Sequence, residues 1–157
     1  MVSKKVIIGA VVAIAIIAIA ALALGGSSEP EARYNYELSL ADGFTSSSGL
    51  EYKADEGMQF LVLEYMVYND SYEDGITTND WIWVWKATYN GLTYSSTSDG
   101  MLHPGYQLIT VAVGGHGGSV ELFEIPADAT LDDITISQEY TWTNDPPKLE
   151  RDTSITI

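Results

Sequence analysis

The sequence predicts an all-β domain, a sandwich of about seven short strands, preceded by one N-terminal membrane-spanning helix. Three observations carry this. Val6–Leu24 is a run of 19 residues with no charged or polar side chain, following Lys4 and Lys5. No segment after residue 25 shows the 3.6-residue apolar period of a helix, whereas several alternate with the period of two that marks a half-buried strand. Finally, the chain holds 17 Trp, Tyr and Phe residues, all after residue 33, and no Cys. That is an aromatic core held by packing alone, without disulfides or thiolate zinc.

The apolar run comes first. A bilayer core about 30 Å thick is crossed by roughly 20 apolar residues in helix, so Val6–Leu24 is long enough to span. The lysines before it stay in the cytoplasm, which turns the remainder outward. A cleaved signal peptide also begins with basic residues, but its apolar core is usually about 7–15 residues long. The expectation is therefore an uncleaved signal anchor over residues 1–25. Cleavage near Ala23, at Ala21-Leu22-Ala23, is the alternative and yields a secreted protein. With no Cys, lipid attachment through an N-terminal cysteine is excluded.

Residues 26–33, containing Gly26-Ser27-Ser28 and Glu29-Pro30, read as a linker, 34–141 as the sandwich, and 142–157 as a tail or edge strand. Within the sandwich, Tyr34–Leu40 alternates Tyr and Leu against Asn, Glu and Ser, a half-buried strand. Asp42–Gly49 is turn-rich. Met58–Asn69 is the strongest strand, with Leu61, Leu63, Tyr65 and Val67 on one face and Phe60, Val62, Met66 and Tyr68 on the other, where Glu64 alone breaks the pattern. Two apolar faces mark a central strand. Asn69–Asp80 is a polar, acidic loop. Trp81–Tyr89 is a strand, and Asn90-Gly91 turns it into Leu92-Thr93-Tyr94, because both residues accept the positive φ of a type I′ hairpin turn. Tyr106–Val113 alternates as a strand, Gly114–Gly118 reads as a flexible turn, and Val120–Ile125 is a strand stopped by Pro126. Leu131–Tyr140 closes the set with Ile134 and Ile136 inward. In the tail, Thr153–Ile157 is a candidate edge strand.

Charge narrows the function. The chain carries a formal net charge of −15, and residues 25–157 hold five basic against 22 acidic side chains. Such a surface repels nucleic acid and anionic headgroups and favours cations or basic partners. No Gly-x-Ser-x-Gly, His-Glu-x-x-His or phosphate-cradling glycine loop occurs, so no enzyme is expected.

Several motifs in order give a family likeness: Gly57 before the long strand ending in Asn69, the aromatic strand from Trp81 to Asn90-Gly91-Leu92-Thr93-Tyr94, Pro104-Gly105, and Phe123-Glu124-Ile125-Pro126. Over roughly residues 34–140 the chain resembles the immunoglobulin-like DUF4352 domains, which are related to an immunoprotective extracellular antigen fold. That resemblance implies an outward-facing immunoglobulin-like β-sandwich behind a signal peptide or anchor, and implies no enzymatic activity.

Four constellations are candidates for contact chemistry. Trp81, Trp83 and Trp85 share one strand face at about 7 Å spacing, suited to stacking on a glycan or an apolar protein surface, or else to filling the core. Asp70, Glu73, Asp74 and Asp80 supply oxygen ligands for calcium, although counting from Asp70 the EF-hand pattern fails. Met101, His103 and His116 are soft or imidazole ligands suited to copper. Asn69-Asp70-Ser71 matches the N-glycosylation sequon. The expected role is a binding or structural one at the cell envelope, with a protein or glycan partner. The rival is a surface-layer or filament subunit assembling through strand edges such as Thr153–Ile157.

Overall fold

The computed structural model describes residues 32–79, 83–140 and 148–151, with backbone alone for Trp83, Tyr140 and 148–151. The apolar run Val6–Leu24, Asp80, Trp81 and the segment Thr153–Ile157 lie outside the described residues. Among the described residues no helix is long and apolar enough to cross a membrane.

The chain forms a β-sandwich. One sheet joins β1 (Ala32–Ala41), β4 (Met58–Asn69), β9 (His116–Pro126) and β11 (Lys148–Arg151) in the order β11-β1-β4-β9. The other joins β6 (Trp83–Tyr89), β7 (Leu92–Ser95) and β10 (Thr135–Tyr140) in the order β10-β6-β7. Two short pairs complete the set: β2 (Gly43–Thr45) with β3 (Glu51–Lys53), and β5 (Ile76–Thr77) with β8 (Thr110–Val111).

β4 is the centre of the fold, as its two-sided apolarity predicts. It pairs antiparallel with β1 from Ala32↔Asn69 to Ala41↔Phe60, and with β9 from Met58↔Pro126 to Tyr68↔His116. Its Leu61, Leu63, Tyr65 and Val67 face the second sheet and pack with Tyr34, Leu38, Phe123 and Ile125 against Trp85, Ala87, Tyr89 and Ile136. Its other face places Phe60 and Val62 with Val120 and Leu122 in a smaller cluster, covered by Phe44 of the β2–β3 hairpin. Phe44 stacks on Tyr52 with centroids 5.0 Å apart and meets Phe60 edge-on at 5.6 Å. The β6–β7 hairpin turns at Asn90 (φ 49°) and Gly91 (φ 76°), the two positive values a type I′ turn requires.

Several boundaries differ from the sequence reading, each for a local reason. β1 begins at Ala32, inside the expected linker 26–33, because Ala32 is buried and pairs with Asn69. β9 begins at His116, so three residues of the Gly114–Gly118 turn are strand; Gly117 and Gly118 pair with Val67 and Met66. The turn-rich segment Asp42–Gly49 contains β2, and the loop Asn69–Asp80 contains β5. The strand expected over Tyr106–Val113 shrinks to Thr110–Val111. Its backbone is satisfied differently: the Gln107 N–H donates to Ser119 Oγ and the Ile109 N–H to Thr78 Oγ1, while Leu108 and Val113 stand exposed. Leu131–Asp133 is a 3-10 turn, and β10 starts only at Thr135. In the tail, Lys148–Arg151 adds to the large sheet, parallel to β1.

Candidate functional site

The tryptophan row is in part a core feature. Trp85 is 2% exposed, with its ring 5.4 Å from Tyr34 in a T-shaped contact and 5.1 Å from Tyr65. Its indole is closed in between the sheets and is not available for stacking on a ligand. This corrects the recognition strip at Trp85. Trp81 and the side chain of Trp83 lie outside the described residues.

Asn69, the sequon asparagine, is buried in the folded domain. It is 1% exposed, and its Nδ2 donates to the Tyr72 and Val111 carbonyls at 2.9 Å each, while its Oδ1 accepts from the Tyr72 N–H at 2.8 Å. The side chain ties the acidic loop to β8. Asp70 accepts from Arg33 Nε at 2.6 Å and Nη2 at 3.0 Å, and this pairing holds its carboxyl below the usual range. Among the described residues no three His, Asp or Glu side chains converge to hold a metal ion. Of the four candidate calcium ligands, Asp70 is paired with Arg33 and Asp80 lies outside the described residues. The two histidines have separate surroundings. His103 lies 5.2 Å from the Phe44 ring and accepts the Gly105 N–H at Nδ1, whereas His116 lies beside Tyr68.

A different group of residues forms a cleft of about 350 Å³ at the rim of the sandwich, lined by Asn79, Ser96, Thr97, Ser98, Gly100, Met101, Tyr106 and Glu121. Its construction starts from β9. Glu121 pairs with Leu63 and alternates with Phe123 and Ile125, so it sits on the row that faces the second sheet. After β7 the chain crosses to the free edge of β9, where Ser96 bridges to Phe123 and the Thr97 N–H donates to the Leu122 carbonyl. That crossing brings the Ser96 hydroxyl to Glu121. The 3-10 turn Ser98–Leu102 follows, started by Thr97 Oγ1 accepting the Asp99 N–H.

The floor is a closed polar network. The Tyr65 hydroxyl donates to Asn79 Oδ1 at 2.9 Å and accepts the Asn79 N–H at 3.0 Å. Asn79 Nδ2 donates to the Gln107 carbonyl and to Ser119 Oγ, and Ser119 Oγ also accepts the Gln107 N–H. Asn79 adopts a left-handed backbone (φ 55°), a conformation Asn tolerates better than most residues. Glu121 stands beside this network. Burial pushes its carboxyl up to about 7, an effect the Ser96 hydrogen bond only partly opposes. Its negative charge in turn helps burial to raise the Tyr65 and Tyr106 hydroxyls.

Sequence reasoning passed over Glu121, yet a signal existed. In Val120–Ile125, Glu121 and Glu124 fall on opposite faces of a strand otherwise apolar on both, so one glutamate had to face the core. Glu124 is the one on the outer face, where it accepts the Asp55 N–H. Nothing in the sequence marked Asn79 or Ser119, which meet only through the fold.

Comparison with known proteins adds little beyond this geometry. No protein-family model matches the chain, and no curated protein matches it. The resemblance to DUF4352 domains is accordingly not shown by these comparisons. Among solved structures, the chain is similar to an uncharacterised β-sandwich protein from Clostridium difficile 630, at 16% identity and a TM-score of 0.44, over 82% of this chain and 87% of that one. The β-sandwich assignment rests on the strand order and the two-sheet core.

Proposed function

We propose that this chain is a membrane-attached, outward-facing immunoglobulin-like sandwich with a non-catalytic binding role at the cell envelope, and that its contact site is the Glu121 cleft. Attachment is supported by the 19-residue apolar run Val6–Leu24 behind Lys4 and Lys5. An outward-facing immunoglobulin-like domain is what the DUF4352 resemblance implies. The observation that carries the binding reading is Glu121. A carboxyl on the core-facing row of a strand, opening into a cleft lined by hydroxyls, is costly to keep unless it serves a contact.

Two experiments test this reading. Fractionation with external protease on intact cells should find the chain in the membrane fraction and cut from outside. A small-fragment screen of the labelled chain by NMR should perturb the amides of Asn79, Ser96, Thr97 and Glu121. A soluble, protected chain would contradict the placement, and fragments gathering instead on Leu108–Val113 would contradict the site. A released domain is the second reading, favoured by the small residues Ala21-Leu22-Ala23. A mature N-terminus at Leu24 would establish it in place of the anchor.

A further inference from the structure

Resting on the proposal that the Glu121 cleft is a contact site, we infer that it takes an alkylammonium group, the chemistry of a lysine side chain or a small aliphatic amine, with the Glu121 carboxylate as its counter-ion.

The donors of the cleft's floor are spent internally. Both Asn79 Nδ2 bonds and the Asn79 N–H go to Gln107, Ser119 and Tyr65. The Tyr65 hydroxyl proton goes to Asn79 Oδ1, and the Gln107 N–H to Ser119. What remains toward the cleft is the Glu121 carboxylate, which the Ser96 hydroxyl meets on one side, with the Ser98 hydroxyl oxygen as a further acceptor and the aromatic side chain of Tyr106 beside them. An ammonium group presents three donors and no acceptor, and aromatic faces attract it further.

Charge points the same way. Among the described residues the ion pair is Arg33–Asp70, and no basic side chain neighbours Glu121. A partly buried carboxylate without a counter-ion is the arrangement in which an incoming monocation gains most. A divalent cation is poorly served, since calcium takes six to eight oxygens and usually several carboxylates, whereas the cleft lining holds one carboxylate. The cleft, about 350 Å³, lies at the small end of ligand sites, which suits one side chain rather than a large molecule. Met101, 60% exposed on its wall, offers thioether and methylene surface to an alkyl stem.

The test uses the full chain in detergent, isotope-labelled, with three probes: Nα-acetyl-lysine methylamide, butylamine, and the neutral isostere Nα-acetyl-norleucine methylamide. Expected are saturable shifts at Ser96, Ser98 and Glu121 with one or both amines, their loss with the isostere, and at least tenfold weaker binding in Glu121→Gln. Lysine-peptide binding without butylamine binding identifies a protein partner as the source; the reverse identifies a free amine. Affinity should fall about tenfold from pH 8 to pH 6 as Glu121 protonates. The titratable groups facing Glu121 are Tyr65 of β4 and Tyr106 of the loop before β8, and both stay neutral across that window. Unchanged Asn79 and Ser119 resonances establish that Glu121→Gln is folded, and Ser96→Ala serves as a second, milder variant that should weaken binding. Equal binding of the isostere would overturn the ammonium assignment while leaving the cleft a contact site. Shifts confined to the exposed Glu73 and Asp74 would overturn it as non-specific attraction. If neither amine nor any fragment in the broader screen moves the cleft resonances, both the inference and the site fall.

Discussion

Replacing Glu121 with Gln should make the domain more stable, and only above about pH 5. Glu121 has an ordinary value of 4.5 and is raised to about 7 by burial, so the native state binds its proton more tightly than the unfolded chain does. For a carboxyl raised in this way, the contribution to stability is fully present below about 4.5. It is lost as the pH climbs through about 7, because stability falls with pH wherever the native state holds more protons. At about 1.36 kcal/mol per pH unit, the complete loss is roughly 3 kcal/mol near pH 8 and under about 1 kcal/mol near pH 5. Gln has nearly the same shape and no charge. Urea unfolding followed by tryptophan fluorescence should therefore show Glu121→Gln gaining roughly 2–3 kcal/mol over wild type near pH 8 and little near pH 5. Glu64, also raised by burial and by Glu37, titrates in both proteins and drops out of the difference. Equal stabilities at both pH values, or a less stable variant near pH 8, would refute the reasoning that the fold holds this carboxylate at a cost. The pairing of outcomes is informative: a residue whose removal stabilises the fold while abolishing amine binding serves the site and not the scaffold.

Three further outcomes follow from the same structure. Tyr65→Phe removes the hydroxyl that joins Asn79 Oδ1 and the Asn79 N–H, and should cost about 1–3 kcal/mol in thermal unfolding, with shifts at Asn79 and Ser119 amides. Asn69→Ala leaves the Tyr72 N–H and the Tyr72 and Val111 carbonyls without their partner, and should cost about 2–4 kcal/mol; intact mass of wild type from a glycosylating host should show no glycan there. Glu37→Lys turns the directly opposed Glu37–Glu64 pair into an attractive one, and should add about 0.2–1 kcal/mol at low salt, shrinking at high salt.

How far these features are legible in the sequence depends on whether their cause is local. β4 is legible because Leu61, Leu63, Tyr65 and Val67 on one face and Phe60 and Val62 on the other are apolar, and the structure buries all six, while Glu64, Met66 and Tyr68 further along the second face are half-buried. The Asn90-Gly91 turn is legible because Asn and Gly are the residues that tolerate the two positive φ values the turn requires. The segment Tyr106–Val113 misleads for the opposite reason. Its alternation is a strand pattern, but the partners that decide it are Thr78 and Ser119, 31 and 12 residues away, and they divert its backbone into side-chain hydrogen bonds. The β2–β3 hairpin is hidden by its shortness: three residues per strand carry almost no periodicity, and only the contact of Phe44 with Phe60 gives it a role. The cleft follows the same rule. Glu121 was available from alternation, whereas Asn79, Ser96 and Tyr106 reach it from three separate loops. The tryptophan row drew attention by its spacing, and Trp85 shows such spacing serving the core.

The most direct measurement is a site-resolved titration of the Glu121 carboxyl carbon by NMR, free and with the lysine probe. The account predicts a midpoint near 7 in the free chain, moved down by at least one pH unit when the ammonium group is bound, since a cation favours the charged carboxylate. A free midpoint near 4.5 would show that the fold does not strain this carboxyl. A midpoint unmoved by saturating probe would show that the ammonium group does not meet it. Either result contradicts the account.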